Sequence, residues 1–173
     1  MKRSELKSLP EYFDRYINKC DDVELLQAMQ TSIDELNNAP IEKWKALGDT
    51  VYAPGKWTLK DMLQHLIDME RLFCFRAMAF ARGETQQLPP CDEDEYAKAA
   101  QASNRTLESL IEELKLSHLS AKAMFESFTP EMLNNTGKGF KGEYSVASIG
   151  FILPGHQRWH LIVLQQKYLP LLG

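Results

Sequence analysis

Phe151-Ile152-Leu153-Pro154-Gly155-His156-Gln157-Arg158-Trp159-His160-Leu161 is the stretch from which the fold and the site are best predicted. His156 and His160 are four residues apart in an apolar run, and a helix of about 3.6 residues per turn places both imidazoles on one face, one turn apart. Apolar residues occupy the rest of that face, so we expect both rings to point into the core. Two histidines placed in this way can hold one metal ion.

The same pair has an explanation without a metal. An imidazole N–H left unpaired in a core costs about 1–3 kcal/mol, and hydrogen bonds to nearby side chains would satisfy it as well as a metal would. The spacing H-x-x-x-H also lacks the glutamate of the metalloprotease motif. A third ligand elsewhere in the chain would favour the metal.

Length and composition predict a single domain over residues 1–173, because 173 residues with 44% apolar side chains can bury a core of their own. A net charge of −4 gives no basic stripe, so we expect neither nucleic acid nor a membrane as partner. No stretch approaches the roughly 20 apolar residues of a membrane-spanning helix. Cys20, Cys74 and Cys91 show no C-x-x-C spacing, which predicts reduced thiols and a cytoplasmic protein.

Helical periodicity predicts four long amphipathic helices and no convincing strand. Asp21 or Asp22, Thr58 and Ser145 are the expected caps of three of them. Asn134 to Gly142 is rich in turn residues and predicts a loop. These features together predict an all-α four-helix bundle. The long helices are expected at about 21–37, 58–82, 103–128 and 145–168, with shorter ones at 10–19, 41–46 and around Tyr96.

His65 is the candidate third ligand. It lies at the edge of the apolar arc of the second long helix, beside polar residues, which is where a bundle places a cofactor site. With His156 and His160 it would supply three nitrogens and leave positions open for water or substrate. Imidazole suits zinc, nickel and ferrous iron alike, so the sequence leaves the metal open.

Two further residues are polar at core positions. Glu70 falls inside the apolar arc of its helix and needs a partner, either an arginine of another helix or the outer nitrogen of a metal-bound histidine. His118 lies on the core face of the third long helix, where a lone histidine is more often hydrogen-bonded than metal-bound. Asp61 and Asp68, on the His65 side, are candidates for a general base, although helix-end or solvated charges are commoner.

Three segments together resemble the DinB superfamily, which includes YfiT-like metal-dependent hydrolases. The resemblance implies a bundle of up-down-down-up topology, usually dimeric, with a metal held by histidines that match His65, His156 and His160. Trp159 stands where relatives often carry a further histidine, and His118 matches no family ligand. The segments are residues 55–71, Leu88-Pro89-Pro90 running into Asp92-Glu93-Asp94-Glu95-Tyr96, and Gly155-His156 with His160.

The resemblance implies a metal-dependent hydrolase or a thiol-dependent S-transferase that acts on a small molecule, with a low-molecular-weight thiol as cosubstrate in the second case. Zinc lowers the pKa of bound water to about 7 and deprotonates a bound thiol, so one site can serve both reactions. A different class of function stays open, a non-catalytic metal-binding or small-ligand-binding bundle related to stress. A third hypothesis makes the three histidines purely structural.

Overall fold

Four long helices form the body of the protein within residues 1–139 and 142–173, which a computed structural model describes. The long helices are α2, α4, α6 and α8, and the other four are short. In chain order the helices are α1 (Asp14–Ile17), α2 (Leu25–Asn37), α3 (Ile41–Leu47), α4 (Leu59–Ala81), α5 (Glu93–Ala100), α6 (Leu107–Glu126), α7 (Pro130–Asn134) and α8 (Val146–Val163). A π-helical turn, Leu164–Tyr168, continues α8.

The long helices follow the predicted up-down-down-up course. Ion pairs and hydrogen bonds join the N-terminal halves of α4 and α6, so these two helices run parallel. Contacts between His65 and His160 join the start of α4 to the end of α8, so that pair is antiparallel. The side chain of Gln157 on α8 donates to the carbonyl of Ser32 on α2, and Leu25 of α2 lies against Gly150 near the start of α8, so these two run parallel.

A two-stranded antiparallel hairpin corrects the prediction of no strand. It consists of β1 (Thr136–Gly139) and β2 (Gly142–Ser145). All of β1 and the first residue of β2 lie in the segment 134–142 that the sequence predicts to be a loop, and Phe140 and Lys141 of that segment lie outside the described residues. The strands lack the β-branched alternation that normally signals a strand. Packing explains the pairing, because Tyr144 is buried and Gly137 lies so close to the Phe80 ring that a Cβ would overlap it.

The apolar faces of the long helices are buried with few exceptions. On α2, Leu26 is half-buried, whereas Leu25, Met29, Ile33 and Leu36 are buried. Burial of this apolar area supplies the main stabilisation, at about 25 cal/mol per Å². None of the helices in the described part of the chain has both the length and the apolar character needed to cross a bilayer. The core faces bury Leu59, Met62, Leu66, Phe73, Ala77 and Phe80 of α4, and Leu107, Ile111, Leu114, Ala121 and Phe125 of α6.

Helix caps agree with the sequence at two of three positions. The Thr58 hydroxyl accepts from the backbone N–H of Asp61, whose carboxylate accepts in turn from the Thr58 N–H. Ser145 caps α8 in the predicted way. The predicted cap of α2 is wrong, because that helix begins at Leu25, and the Asp22 carboxylate accepts instead from the backbone N–H of Ser4.

Gly155 allows α1 to contact α8 beside the predicted site. A Cβ at this position would lie 2.0 Å from the backbone carbonyl oxygen of Tyr16. Because a backbone carbonyl cannot move aside as a side-chain tip can, any larger residue would push α1 away. The glycine therefore fixes Tyr16 next to His156, with ring centroids 4.7 Å apart.

A buried polar network links all four long helices. His118 Nδ1 lies 2.7 Å from Glu70 Oε2, and His118 Nε2 lies 2.6 Å from Gln157 Oε1. The Gln157 amide nitrogen donates to the Ser32 carbonyl and to the Glu35 carboxylate, at 2.9 and 3.1 Å, which fixes the orientation of the amide. His118 therefore faces acceptors on both sides and donates from both nitrogens, so it is an imidazolium.

The sequence predictions for Glu70 and His118 are resolved by this network. Glu70 forms a structural ion pair, but with His118 rather than with an arginine or a metal-binding histidine. His118 is a bonded core residue, as expected. Burial is the largest single influence and favours the neutral ring, yet Glu70, Gln157 and Glu35 together outweigh it and raise the pKa of His118.

The raised pKa of His118 makes stability depend on pH. Since the folded-state pKa exceeds the unfolded value of about 6.5, the ion pair contributes fully below about pH 6.5 and is lost as the pH rises through the folded-state pKa. We expect His118→Gln to cost about 3–5 kcal/mol at pH 6 by leaving Glu70 unpaired. The cost should shrink at pH 8 and 9. Urea unfolding of both proteins with chelator present measures it, and a cost independent of pH would contradict the assignment.

Candidate metal centre

The antiparallel packing of α4 and α8 brings the three predicted histidines together. His65 comes from the second turn of α4, and His156 and His160 come from successive turns of α8. His156 Nε2 lies 3.1 Å from His65 Nε2 and 3.0 Å from His160 Nε2. Their candidate ligand atoms all lie within 4.8 Å of one another. Residues 91 positions apart in the chain thus share one small volume.

The separations between these nitrogens match those of ligands around one ion. Imidazole nitrogens bind zinc at about 2.0–2.1 Å, which places two of them about 2.9 Å apart at a 90° angle and about 3.3 Å apart at the tetrahedral angle. The observed 3.0 and 3.1 Å lie between these limits. The three residues present therefore fit a divalent ion.

Hydrogen bonding satisfies the cluster poorly. A neutral imidazole nitrogen carries either one proton or one lone pair, so His156 Nε2 can form a good bond with only one of its two neighbours. His65 Nδ1 is buried, and no described residue gives it a hydrogen-bond partner. The three converging nitrogens cannot all form hydrogen bonds with one another. This indicates a site that binds a further group.

All three rings are uncharged near neutral pH. Burial lowers the pKa of His65 to about 3, with a smaller effect from His160. Burial also lowers the pKa of His160 to about 4, assisted by the positive charge of Arg15, and it holds the pKa of His156 well below its usual range. The neutral imidazole is the form that binds metal ions.

Aromatic residues that sequence reasoning missed enclose the cluster. The Trp57 ring lies 4.6 Å from that of His65 and stacks at 6.4 Å, with an interplanar angle of 20°, on that of His160. The Tyr168 hydroxyl donates to the Trp57 carbonyl at 2.6 Å, so the π-helical turn after α8 holds Trp57 in place. Trp57 lies in the predicted start of α4, but nothing in its local sequence shows which way the ring turns.

Trp159 packs against residues of α1 and the residue Lys19 that follows it. Its ring meets the Tyr16 ring edge-on at 5.8 Å, and Arg15 and Lys19 lie over it. Arg15 also donates to the Tyr16 hydroxyl at 2.9 Å. Burial raises the pKa of Tyr16 to about 12 despite this arginine, so the phenol keeps its proton.

A cavity of about 280 Å³ has His156 in its lining. Its walls combine aromatic side chains with a few polar groups, the usual composition of a small-molecule pocket. The cavity lies between α1, α4 and the start of α5. It is lined by Tyr12, Phe13, Tyr16, Met69, Phe73, Arg76, Cys91, Asp92, Glu93 and His156.

The remaining candidate residues take no part in the cluster. Asp61 caps α4, and Asp68 accepts from the Gln64 amide at 3.0 Å. Cys91 lines the cavity, but burial and the acidic residues after it raise its pKa despite nearby Arg76, so it is a poor thiolate. All three cysteines are free thiols, as predicted.

Comparisons with known proteins support the fold. A family model described as the DinB superfamily matches residues 6–164. The solved structure of YfiT from Bacillus subtilis, described as a probable metal-dependent hydrolase with an unusual four-helix bundle topology, matches with a TM-score of 0.67 and 16% sequence identity, over 93% of this chain and 89% of that one. No curated protein matches the chain. The chain is thus a member of the DinB superfamily with a YfiT-like four-helix bundle.

Proposed function

We propose that His65, His156 and His160 hold one divalent metal ion and that the protein is a metal-dependent enzyme acting on a small molecule in the adjacent cavity. The observation that carries this proposal is the convergence of three neutral imidazoles, two buried and one half-buried, of which His156 lines a cavity. Three protein ligands leave at least one position free, whereas closed structural zinc sites use four. His118, the fourth histidine, is held elsewhere by Glu70 and Gln157.

When bound, such an ion would polarise a carbonyl or phosphoryl group or lower the pKa of a bound water or thiol. Around that position the chain supplies binding and orientation. Trp57 covers His65 and His160 and excludes water from their side of the cluster. Tyr16 lines the cavity next to His156, and its protonated hydroxyl can donate a hydrogen bond to a molecule there.

Hydrolysis and thiol transfer are two reactions that one three-histidine site can support. The cysteine that lines the cavity has a raised pKa, so a thiol nucleophile would come from a low-molecular-weight cosubstrate rather than from Cys91. The donor set suits zinc, nickel and iron. A bundle that binds metal or a small ligand without turnover is the alternative.

Substitution of the metal ligands tests the site. We expect protein purified without added metal to carry about one ion per chain, and His65→Ala, His156→Ala and His160→Ala to lose at least nine-tenths of it, because two remaining imidazoles bind far more weakly. Elemental analysis measures the content. His118→Ala is the matched control, a buried histidine outside the cluster, and should keep its metal. Equal metal content in all five proteins would refute the site.

Turnover separates the enzyme from the binding module. A panel of small esters and amides, and a panel of electrophiles with added thiols, should each be tried with metal-loaded protein. We expect the wild type to be active on one panel and His156→Ala to be at least 100-fold less active. Chelation should abolish the activity of the wild type, and restored metal should bring it back, because the ion supplies the activation. Tyr16→Phe should lower activity while metal content stays unchanged. A metal-loaded protein without turnover on either panel favours the binding module.

A homodimer, implied by the family resemblance, is also proposed. The parallel helices α4 and α6 expose four large apolar side chains on the outside of the bundle, Phe75, Met78, Leu116 and Leu119, which are 42–56% exposed. A groove lined by Cys74 and Leu116 runs between the two helices. An apolar face of this kind suits a second copy of the chain.

Charge placed on this face should disrupt the dimer. We expect light scattering to give twice the chain mass for the wild type and the single-chain mass for Leu116→Glu, because the added carboxylate would be buried in the interface. Leu171→Glu, a similarly exposed leucine near the C-terminus, is the control and should remain dimeric. A monomeric wild type would contradict the proposal.

The domain extent and compartment are likewise proposals. One domain over residues 1–173 is supported by the core shared between α2 near the start and α8 near the end. Three free thiols fit a reducing cytoplasmic compartment. Limited proteolysis and cell fractionation test the two statements, and a stable shorter fragment or an exported protein would contradict them.

A further inference from the structure

The arginine of the cavity lining has no role in the proposal above. Arg76 lines the same cavity as His156 and is only 5% exposed. Its Nη2 donates to the backbone carbonyl of Pro89 at 3.0 Å, and its guanidinium lies 5.4 Å from the Phe73 ring. No Asp or Glu among the described residues forms an ion pair with it. The other strongly buried charge, Glu70, has its counter-ion in His118.

A buried guanidinium without a carboxylate is costly. Removing a charge from water carries a penalty of several kcal/mol that only a good partner offsets, and one neutral carbonyl with one aromatic ring satisfies few of the five N–H donors of arginine. Buried charges in proteins are normally paired. The unpaired charge therefore indicates a partner that the described residues do not supply.

The position of Arg76 relative to the histidines defines where such a partner would lie. Arg76 follows His65 by eleven residues on α4, which places the two about 16 Å apart along the helix and about 20° apart around it. Met69 and Phe73 lie between them and line the same cavity. One face of α4 thus carries the metal ligand at one end, an apolar wall in the middle and a cation at the other end.

A carboxylate in the cavity lining restricts the charge of the partner. Asp92 also lines the cavity, and its Oδ1 accepts from the backbone N–H groups of Asp94 and Glu95. A dianion would gain from Arg76 and be repelled by the Asp92 carboxylate. A single negative charge that matches the planar fork of arginine is a carboxylate.

We propose that the substrate is a small monocarboxylate with an apolar body, whose carboxylate pairs with Arg76 while its reactive group lies at the three histidines. This inference rests on the proposed function and assigns the substrate class of the same site. Arg76 is then the residue that selects the substrate and sets its direction in the cavity.

Calorimetric titration with a matched pair of probes, 4-phenylbutanoate and its neutral amide, tests the pairing. We expect metal-loaded wild type to bind the carboxylate about tenfold or more tightly than the amide, since a bidentate charge-assisted pair is lost in the amide. Arg76→Met should bind both equally. Arg82→Met removes an exposed arginine of the same helix and should keep the preference. A preference retained in Arg76→Met, or none in the wild type, would overturn the proposal.

Further arms separate this inference from the proposed function. In His156→Ala the preference for the carboxylate should persist, because Arg76 does not need the metal. If His156→Ala lost the preference and Arg76→Met kept it, the carboxylate would bind the ion instead, and the inference would be overturned. A wild type that takes up no metal but still prefers the carboxylate would refute the metal proposal alone. 3-Phenylpropyl phosphate should bind more weakly than the carboxylate; tighter binding would contradict the monoanion. If Arg76→Met does not fold, Arg76→Gln, which keeps a donor for the Pro89 carbonyl, replaces it.

Discussion

The approach of His65 Nε2 to His156 Nε2 across the α4–α8 interface is the contact from which the rest of the site follows. Once three imidazoles share this volume, burial above all keeps them neutral, with smaller effects from neighbouring histidines and from Arg15. Neutral rings expose a lone pair and are ready to bind a cation. Without one, the cluster costs stability, because its nitrogens cannot all be paired. The bundle therefore maintains an arrangement that a metal would stabilise.

Two buried histidines with different charges lie close together at α8, because His118 bonds to Gln157, the residue that follows His156. His118 bonds to Gln157 and is positively charged, whereas the neighbouring His156 is neutral. The difference comes from their surroundings, since His118 faces a carboxylate and an amide oxygen and His156 faces other imidazoles. Because the Gln157 amide also bonds to α2, the charged network ties α8 to the other three long helices.

The cavity beside the histidine cluster has walls from several elements of the fold. Gly155 admits α1, so that Tyr16 lies against His156, and Trp57 closes the opposite side over His65 and His160. Along α4, apolar side chains connect the histidines to Arg76. Each wall comes from a different part of the chain, which is typical of a site formed by the packing of helices.

The amino-acid sequence by itself determined the helices, most of their core faces, the caps at Thr58 and Ser145, and the one-turn spacing of His156 and His160. These features depend on residues within one helix, where periodicity fixes which side chains share a face. Tertiary structure decided the partner of Glu70, the pairing of residues 136–139 with 142–145, the position of Trp57 over the histidines and the cavity that Arg76 and His156 line. Such contacts join residues far apart in sequence, and they depend on how helices cross and rotate against each other, which no local pattern records.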